Sequence, residues 1–184
     1  MNLRYRQERT TQAAAHLLKL RGGRMSYMKL LKLLYLADRG ALLSHGRPIT
    51  YDRYVSMDHG PVLSQTYNLM VAEQSPDQPL VYWRQFISEP ERYEVQLLTD
   101  TPPDGELSRA QIGVLDDVFN EFGAMNRWQI VEFVHTLPEW EDPQGSSIPI
   151  ALRDVLRGGE MEDDDMDAVE EALLSEDALA ALLE

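Results

Sequence analysis

The sequence predicts an α+β, mainly α-helical fold: a single compact domain with one β-hairpin, followed by an acidic C-terminal helical tail. Three observations lead there. Apolar residues recur at three- and four-residue spacing through most of the chain, and glycines, prolines and capping residues punctuate them at helix-sized intervals. One stretch changes period: Tyr93, Val95 and Leu97 alternate with Glu94 and Gln96, as a half-buried strand requires. The 184 residues, 43% apolar and 26% charged, suffice for one core. We divide the chain at Gly158-Gly159 into a domain, 1–157, and a tail, 158–184.

Thr10 or Thr11 is expected to cap a first helix bearing Ala13, Leu17 and Leu20, which Gly22-Gly23 ends. Ser26 opens a second, Tyr27 to about Ser44. Its Met28, Leu30, Leu31, Leu33, Leu34, Leu36, Ala37 and Leu42 surround most of its circumference, so it reads as the buried central helix. Lys29, Lys32 and Arg39 share one narrow arc of it, a cationic stripe that should face water or an acidic partner. Thr50 is expected to cap a short helix carrying Tyr51 and Tyr54. His59-Gly60-Pro61-Val62 reads as the start of another helix, since proline is tolerated in a first turn. After the breaker Ser75-Pro76-Asp77-Gln78-Pro79, the aromatic run 81–87 should pair with 93–97 as a hairpin turning near Glu89-Pro90-Glu91.

Ser108 with Gln111, and Asn126 with Gln129, form capping boxes ahead of two helices, each box matching a side-chain acceptor to a side chain three residues on. Ile112, Leu115, Phe119 and Phe122 line the first; Gly123 ends it, and Pro138 stops the second. A short helix around Ile150 to Leu156 precedes the tail.

Charge and chemistry narrow the function. The net charge of −14 opposes general nucleic-acid binding, and the eight bases against one acid in residues 1–32 contrast with eleven acids and no base in 158–184. No cysteine is present, so disulfides and thiolate metal sites are excluded and a cytoplasmic setting is expected. No membrane-length apolar run occurs. Four scattered histidines, without His-Glu-x-x-His, Gly-x-Ser-x-Gly or a phosphate loop, give no support for an enzyme, a cofactor or a metal. Asp58-His59 is the best acid–base candidate, but neighbours in sequence seldom address one proton.

The run from Lys29 through Leu30, Lys32, Leu33, Tyr35 and Asp38, then Gly46-Arg47-Pro48-Ile49, Tyr54, Gly60-Pro61-Val62 and Tyr67, and later His135 with Pro138-Glu139-Trp140, resembles the Panacea domain, the SocA-like antitoxin domain, over roughly residues 10–156. The resemblance implies a mostly helical antitoxin that neutralises a cognate protein toxin by direct binding, with no cofactor and no catalytic residue. It also admits an adaptor that delivers its toxin to a protease. A regulator binding the DNA of its own operon is a third reading, opposed by the acid excess.

Leu30, Lys32, Leu33, Tyr35, Asp38, Gly60, Pro61, Val62 and Trp140 read as mostly structural motif positions. Lys29, Lys32, Arg39, Tyr51, Tyr54 and His59 are candidate partner contacts, together with Asp163, Asp164, Asp165, Leu173, Leu179 and Leu182 of the tail. The tail reads as an amphipathic helix, poorly ordered until its apolar side meets a basic groove on the toxin, the cationic stripe or the N-terminal arm of its own domain. Of these, the toxin groove is the expected choice, and a solvating tail with no partner is the alternative to all three.

Overall fold

The computed structural model describes residues 3–71 and 81–182; the 75–79 breaker lies outside them. Among these residues the helices are α1 (Gln7–Leu20), α2 (Tyr27–His45), α3 (Ser64–Val71), α4 (Tyr82–Phe86), α5 (Arg109–Phe122), α6 (Arg127–Val134), α7 (Leu152–Gly158) and α8 (Asp163–Leu182). The strands are β1 (Arg24–Ser26), β2 (Tyr54–Met57), β3 (Gly60–Leu63), β4 (Glu94–Gln96) and β5 (Ile148–Ile150). The fold is thus mainly helical α+β, as the sequence predicts.

α2 is the axis. α1, α5 and α6 pack along it, β3 and the C-terminal α7 also touch it, and Leu30, Leu33 and Leu42 are wholly buried. Gly46 ends it in the left-handed conformation, φ 67°, which costs glycine no side-chain clash. Both capping boxes form: Ser108 Oγ accepts from Gln111 N and Asn126 Oδ1 from Gln129 N, while each glutamine accepts the cap residue's own N–H.

Several boundaries depart from expectation. α1 begins at Gln7, before Thr10 and Thr11, whose buried hydroxyls donate back to the Arg6 and Gln7 carbonyls at 2.8 Å instead of capping. No helix starts at Thr50. Tyr54 opens β2, which turns through Asp58-His59 into β3, so Gly60-Pro61-Val62 is strand rather than helix start. The hairpin of the fold is therefore β2–β3, with β5 on its other edge. α3 starts only at Ser64, where Asp52 accepts from the amides of Gln65 and Thr66.

Segment 81–87 is not a strand. Trp83 is completely buried on α4, beside α1, so tertiary packing overrides the β propensity of the aromatic run. β4 pairs antiparallel with β1 instead, Met25 opposite Val95, and only an isolated bridge, Ile87 to Leu97, joins the two expected partners.

Candidate functional site

Three charged side chains of α2, Lys29, Lys32 and Asp38, are buried. Lys29 and Lys32 are only 5% and 1% exposed, so the water-facing cationic stripe does not exist: α2 is covered on its polar arc too. Their charges meet carbonyls instead. Lys29 Nζ donates to Gly123 O at 2.6 Å, just past the C-terminus of α5, where carbonyls carry partial negative charge. Lys32 Nζ donates to Pro61 O of β3 at 2.9 Å. Burial lowers both amines, Lys32 to about 7, because a cation away from water is disfavoured.

One turn further, Asp38 accepts from the amides of Ile49 and Thr50, the Thr50 hydroxyl and the Tyr54 hydroxyl, at 2.6–3.2 Å. These four donors tie the loop after α2, and the first residue of β2, to the helix. Burial nevertheless raises Asp38 to about 7, against the lowering effect of the Thr50 and Ile49 bonds. Asp38 is thus spent on protein donors, which gives its structural role a geometric basis.

Tyr35 and Arg39 converge on Glu139. The Tyr35 hydroxyl donates to Oε1 at 2.8 Å and Arg39 Nε to the same oxygen at 2.7 Å, while Arg39 also reaches the Gly158 carbonyl. Burial first, then the Glu139 charge, holds the Tyr35 hydroxyl well above the ordinary tyrosine range.

Gly60 joins this network to the segment after α6. At φ 94° its hydrogen faces Val134; a Cβ there would lie 2.5 Å from Val134 Cγ2 and 3.4 Å from Lys32 Nζ. His135 stacks on Trp140, ring centroids 4.1 Å apart, and Trp140 Nε1 donates to Met57 O of the hairpin. Burial, then the Lys32 charge, lowers His135. Its Nε2 is buried and unpaired among the described residues.

The candidate contacts are dispersed. Tyr54 lies in the core, edge-on to Tyr35 at 5.6 Å, and is unavailable to a partner. Tyr51 is 5% exposed and donates to Glu176 of the tail; burial, then that carboxylate, pushes its hydroxyl up to about 12. His59 is exposed at the hairpin turn. Arg39 is engaged by Glu139.

The tail helix α8 is seated on its own domain. Leu173 is wholly buried and Met166 2% exposed, so Leu173 is core rather than a partner contact. Arg153 reaches Asp163, Asp167 and Glu170, Arg47 pairs with Glu176, and the Arg4 amide donates to Asp177. The acids of the tail thus meet the N-terminal arm, Arg47 and Arg153 of α7, while its apolar side, through Met166 and Leu173, joins the core and Val169 reaches Gly46 at the end of α2; the Lys29–Lys32–Arg39 stripe is not its seat. Asp164 and Asp165, like Leu179 and Leu182, are exposed.

Sequence reasoning missed Glu139 as the acceptor shared by Tyr35 and Arg39; its place between Pro138 and Trp140 was the available signal. It missed the exposed Tyr93 and Trp128, which no local pattern sets apart. Among the described residues no group of three or more histidines or carboxylates is arranged to hold a metal, and no helix is long and apolar enough to cross a membrane.

Comparison with curated proteins and with solved structures finds no match. The family described as "Antitoxin SocA-like, Panacea domain" matches residues 30–141, from the first buried leucines of α2 to the residue after Trp140. The matched span is more than half of the chain and includes Lys32, Asp38, Gly60 and Glu139, and the protein belongs to the SocA-like Panacea-domain antitoxin family.

Proposed function

We propose that the protein is the antitoxin of a toxin–antitoxin pair and neutralises one cognate protein toxin by binding it stoichiometrically, without catalysis. The observation that carries this reading is the family match over 30–141, within which Lys32, Tyr35 and Asp38 bond to other residues of the motif. Lys32, Asp38, Arg39 and Glu139 maintain the scaffold, and specificity belongs to the surface around it. Masking acts in the cytoplasm, needs no cofactor, and needs neither a membrane nor nucleic acid.

Co-expression with the product of the adjacent open reading frame tests the proposal. Growth should be rescued and the two chains should co-purify at equal stoichiometry. Rescue that disappears in cells lacking the housekeeping proteases would replace masking by adaptor action, and co-expression without rescue would end the antitoxin reading.

A further inference from the structure

We propose that the cognate toxin docks on an exposed ladder of aromatic rings around Arg127, and that the toxin segment seated there presents a carboxylate flanked by apolar side chains. The inference rests on the antitoxin reading above and adds a place and a chemistry to it.

The ladder is assembled from four elements. Tyr27 at the start of α2 stacks on Tyr93 just before β4, centroids 6.4 Å apart and planes at 26°. The Arg127 guanidinium, in the first turn of α6, lies 5.8 Å from the Tyr93 ring and 5.2 Å from that of Trp128. His59, at the β2–β3 turn, meets Trp128 edge-on at 5.9 Å. Tyr93 is 66% exposed and Trp128 50%, both unusual for residues so large.

Two features separate this strip from incidental exposure. Arg92 and Tyr93 both have positive φ, 50° and 68°, a conformation that costs non-glycine residues free energy, yet it is held where it presents the Tyr93 ring outward. And in a chain with 31 acidic residues, no described carboxylate pairs with Arg127, whose contacts are the two rings. Stacked on aromatics, the guanidinium keeps its N–H edge open for a planar, two-oxygen acceptor. Tryptophan, tyrosine and arginine are also the residues that concentrate binding energy in interfaces.

Charge selects the occupant. The acid excess elsewhere repels carboxylates, so an acidic toxin segment with apolar flanks finds its register where Arg127 is framed by the Tyr93 and Trp128 rings. The same excess disfavours a single-stranded RNA stacking on the rings, since its phosphates would meet net charge −14.

The full chain carrying Arg127→Glu, Arg127→Lys or Trp128→Ala is titrated calorimetrically with the co-expressed toxin. Arg109→Glu, the same charge change at the far end of α5, is the control, and melting curves verify folding. Arg127→Glu and Trp128→Ala should each weaken binding by roughly 30-fold or more, Arg127→Lys by less, and Arg109→Glu should not matter. Restoration of Arg127→Glu binding by one acid-to-lysine substitution on the toxin would identify the carboxylate. Equal losses for Arg127→Glu and Arg109→Glu, or no loss, would overturn the ladder while leaving the antitoxin reading intact. A wild-type chain that binds no toxin removes that reading itself. Binding of a single-stranded RNA oligonucleotide that Trp128→Ala abolishes, or a dimer by light scattering that Arg127→Glu dissolves, would each assign the ladder to a different occupant.

Discussion

Arg39 and Glu139, 100 residues apart in sequence, form an ion pair at 2.7 Å in which the glutamate side chain is wholly buried. Its Oε1 is also the acceptor for Tyr35, and Oε2 accepts from Arg39 Nη2 at 3.5 Å, so the end of the motif segment is fastened to the middle of α2 at one carboxylate. Replacing Arg39 by alanine leaves a buried carboxylate without its counter-charge, which costs about 3–5 kcal/mol. Arg39→Lys should recover part of this, since a point charge lacks the fork that also reaches Gly158 O. Urea denaturation of the two variants checks the order; equal stability of Arg39→Ala and wild type would show that the pair contributes nothing.

Gly60 is the tightest joint between the hairpin and α6. Alanine there would have to hold φ 94° and place its Cβ 2.5 Å from Val134 Cγ2. Backbone strain and overpacking together should cost about 2–5 kcal/mol. The double variant Gly60→Ala with Val134→Ala relieves the contact but not the strain, and it removes buried Val134 methyls, so it should regain only part of the loss. A single variant as stable as wild type in thermal melts would contradict the close approach.

Helices with their own start signals were legible in the sequence: the boxes at Ser108 and Asn126 form as written, because each is satisfied within three residues. The α+β class and the family motif were legible for the same reason, residing in local pattern. What failed depended on distant neighbours. Lys29 and Lys32 look like a solvated stripe until Gly123 and Pro61 supply carbonyl partners from 94 and 29 residues away. Trp83 looks like strand until α1 buries it, and Gly60-Pro61 looks like a helix start until the pairing of β3 with β2 and the close approach of Val134 to Gly60 make it strand.

Lys32 and Asp38 give stability a dependence on pH with two opposed limbs. The folded value of Asp38, about 7, is raised from 3.8, so the native state holds the extra proton between these values and loses stability as pH rises through that window. Lys32 is lowered from 10.5 to about 7; between 7 and 10.5 the unfolded chain holds the extra proton, so stability increases with pH there. These two groups alone give a minimum near pH 7, with limiting slopes of about 1.4 kcal/mol per pH unit on either side. Lys32→Met should flatten the alkaline limb and leave the acid limb, measured by urea midpoints at several pH values. An unchanged alkaline slope in that variant would mean that Lys32 stays charged in the fold.

The acidic tail should behave as part of the core, contrary to its composition. Leu173 and Met166 belong to the buried cluster, and Val169 Cγ2 would lie 3.3 Å from a Cβ on Gly46, so α8 sits directly on the end of α2. The ion pairs of Arg153 are mostly with exposed carboxylates, 67% and 80% for Asp167 and Asp163, and such pairs contribute little and are screened by salt. Apolar contact therefore carries the attachment. Leu173→Ala should cost about 2–5 kcal/mol, and truncation after Gly159 should lower the melting temperature by roughly 5–15 °C. Both effects should persist at high salt, whereas Arg153→Ala should be nearly silent. A truncated chain that melts with wild type would return the tail to the status of a solvated appendage, and a loss that vanishes in salt would assign the attachment to charge instead.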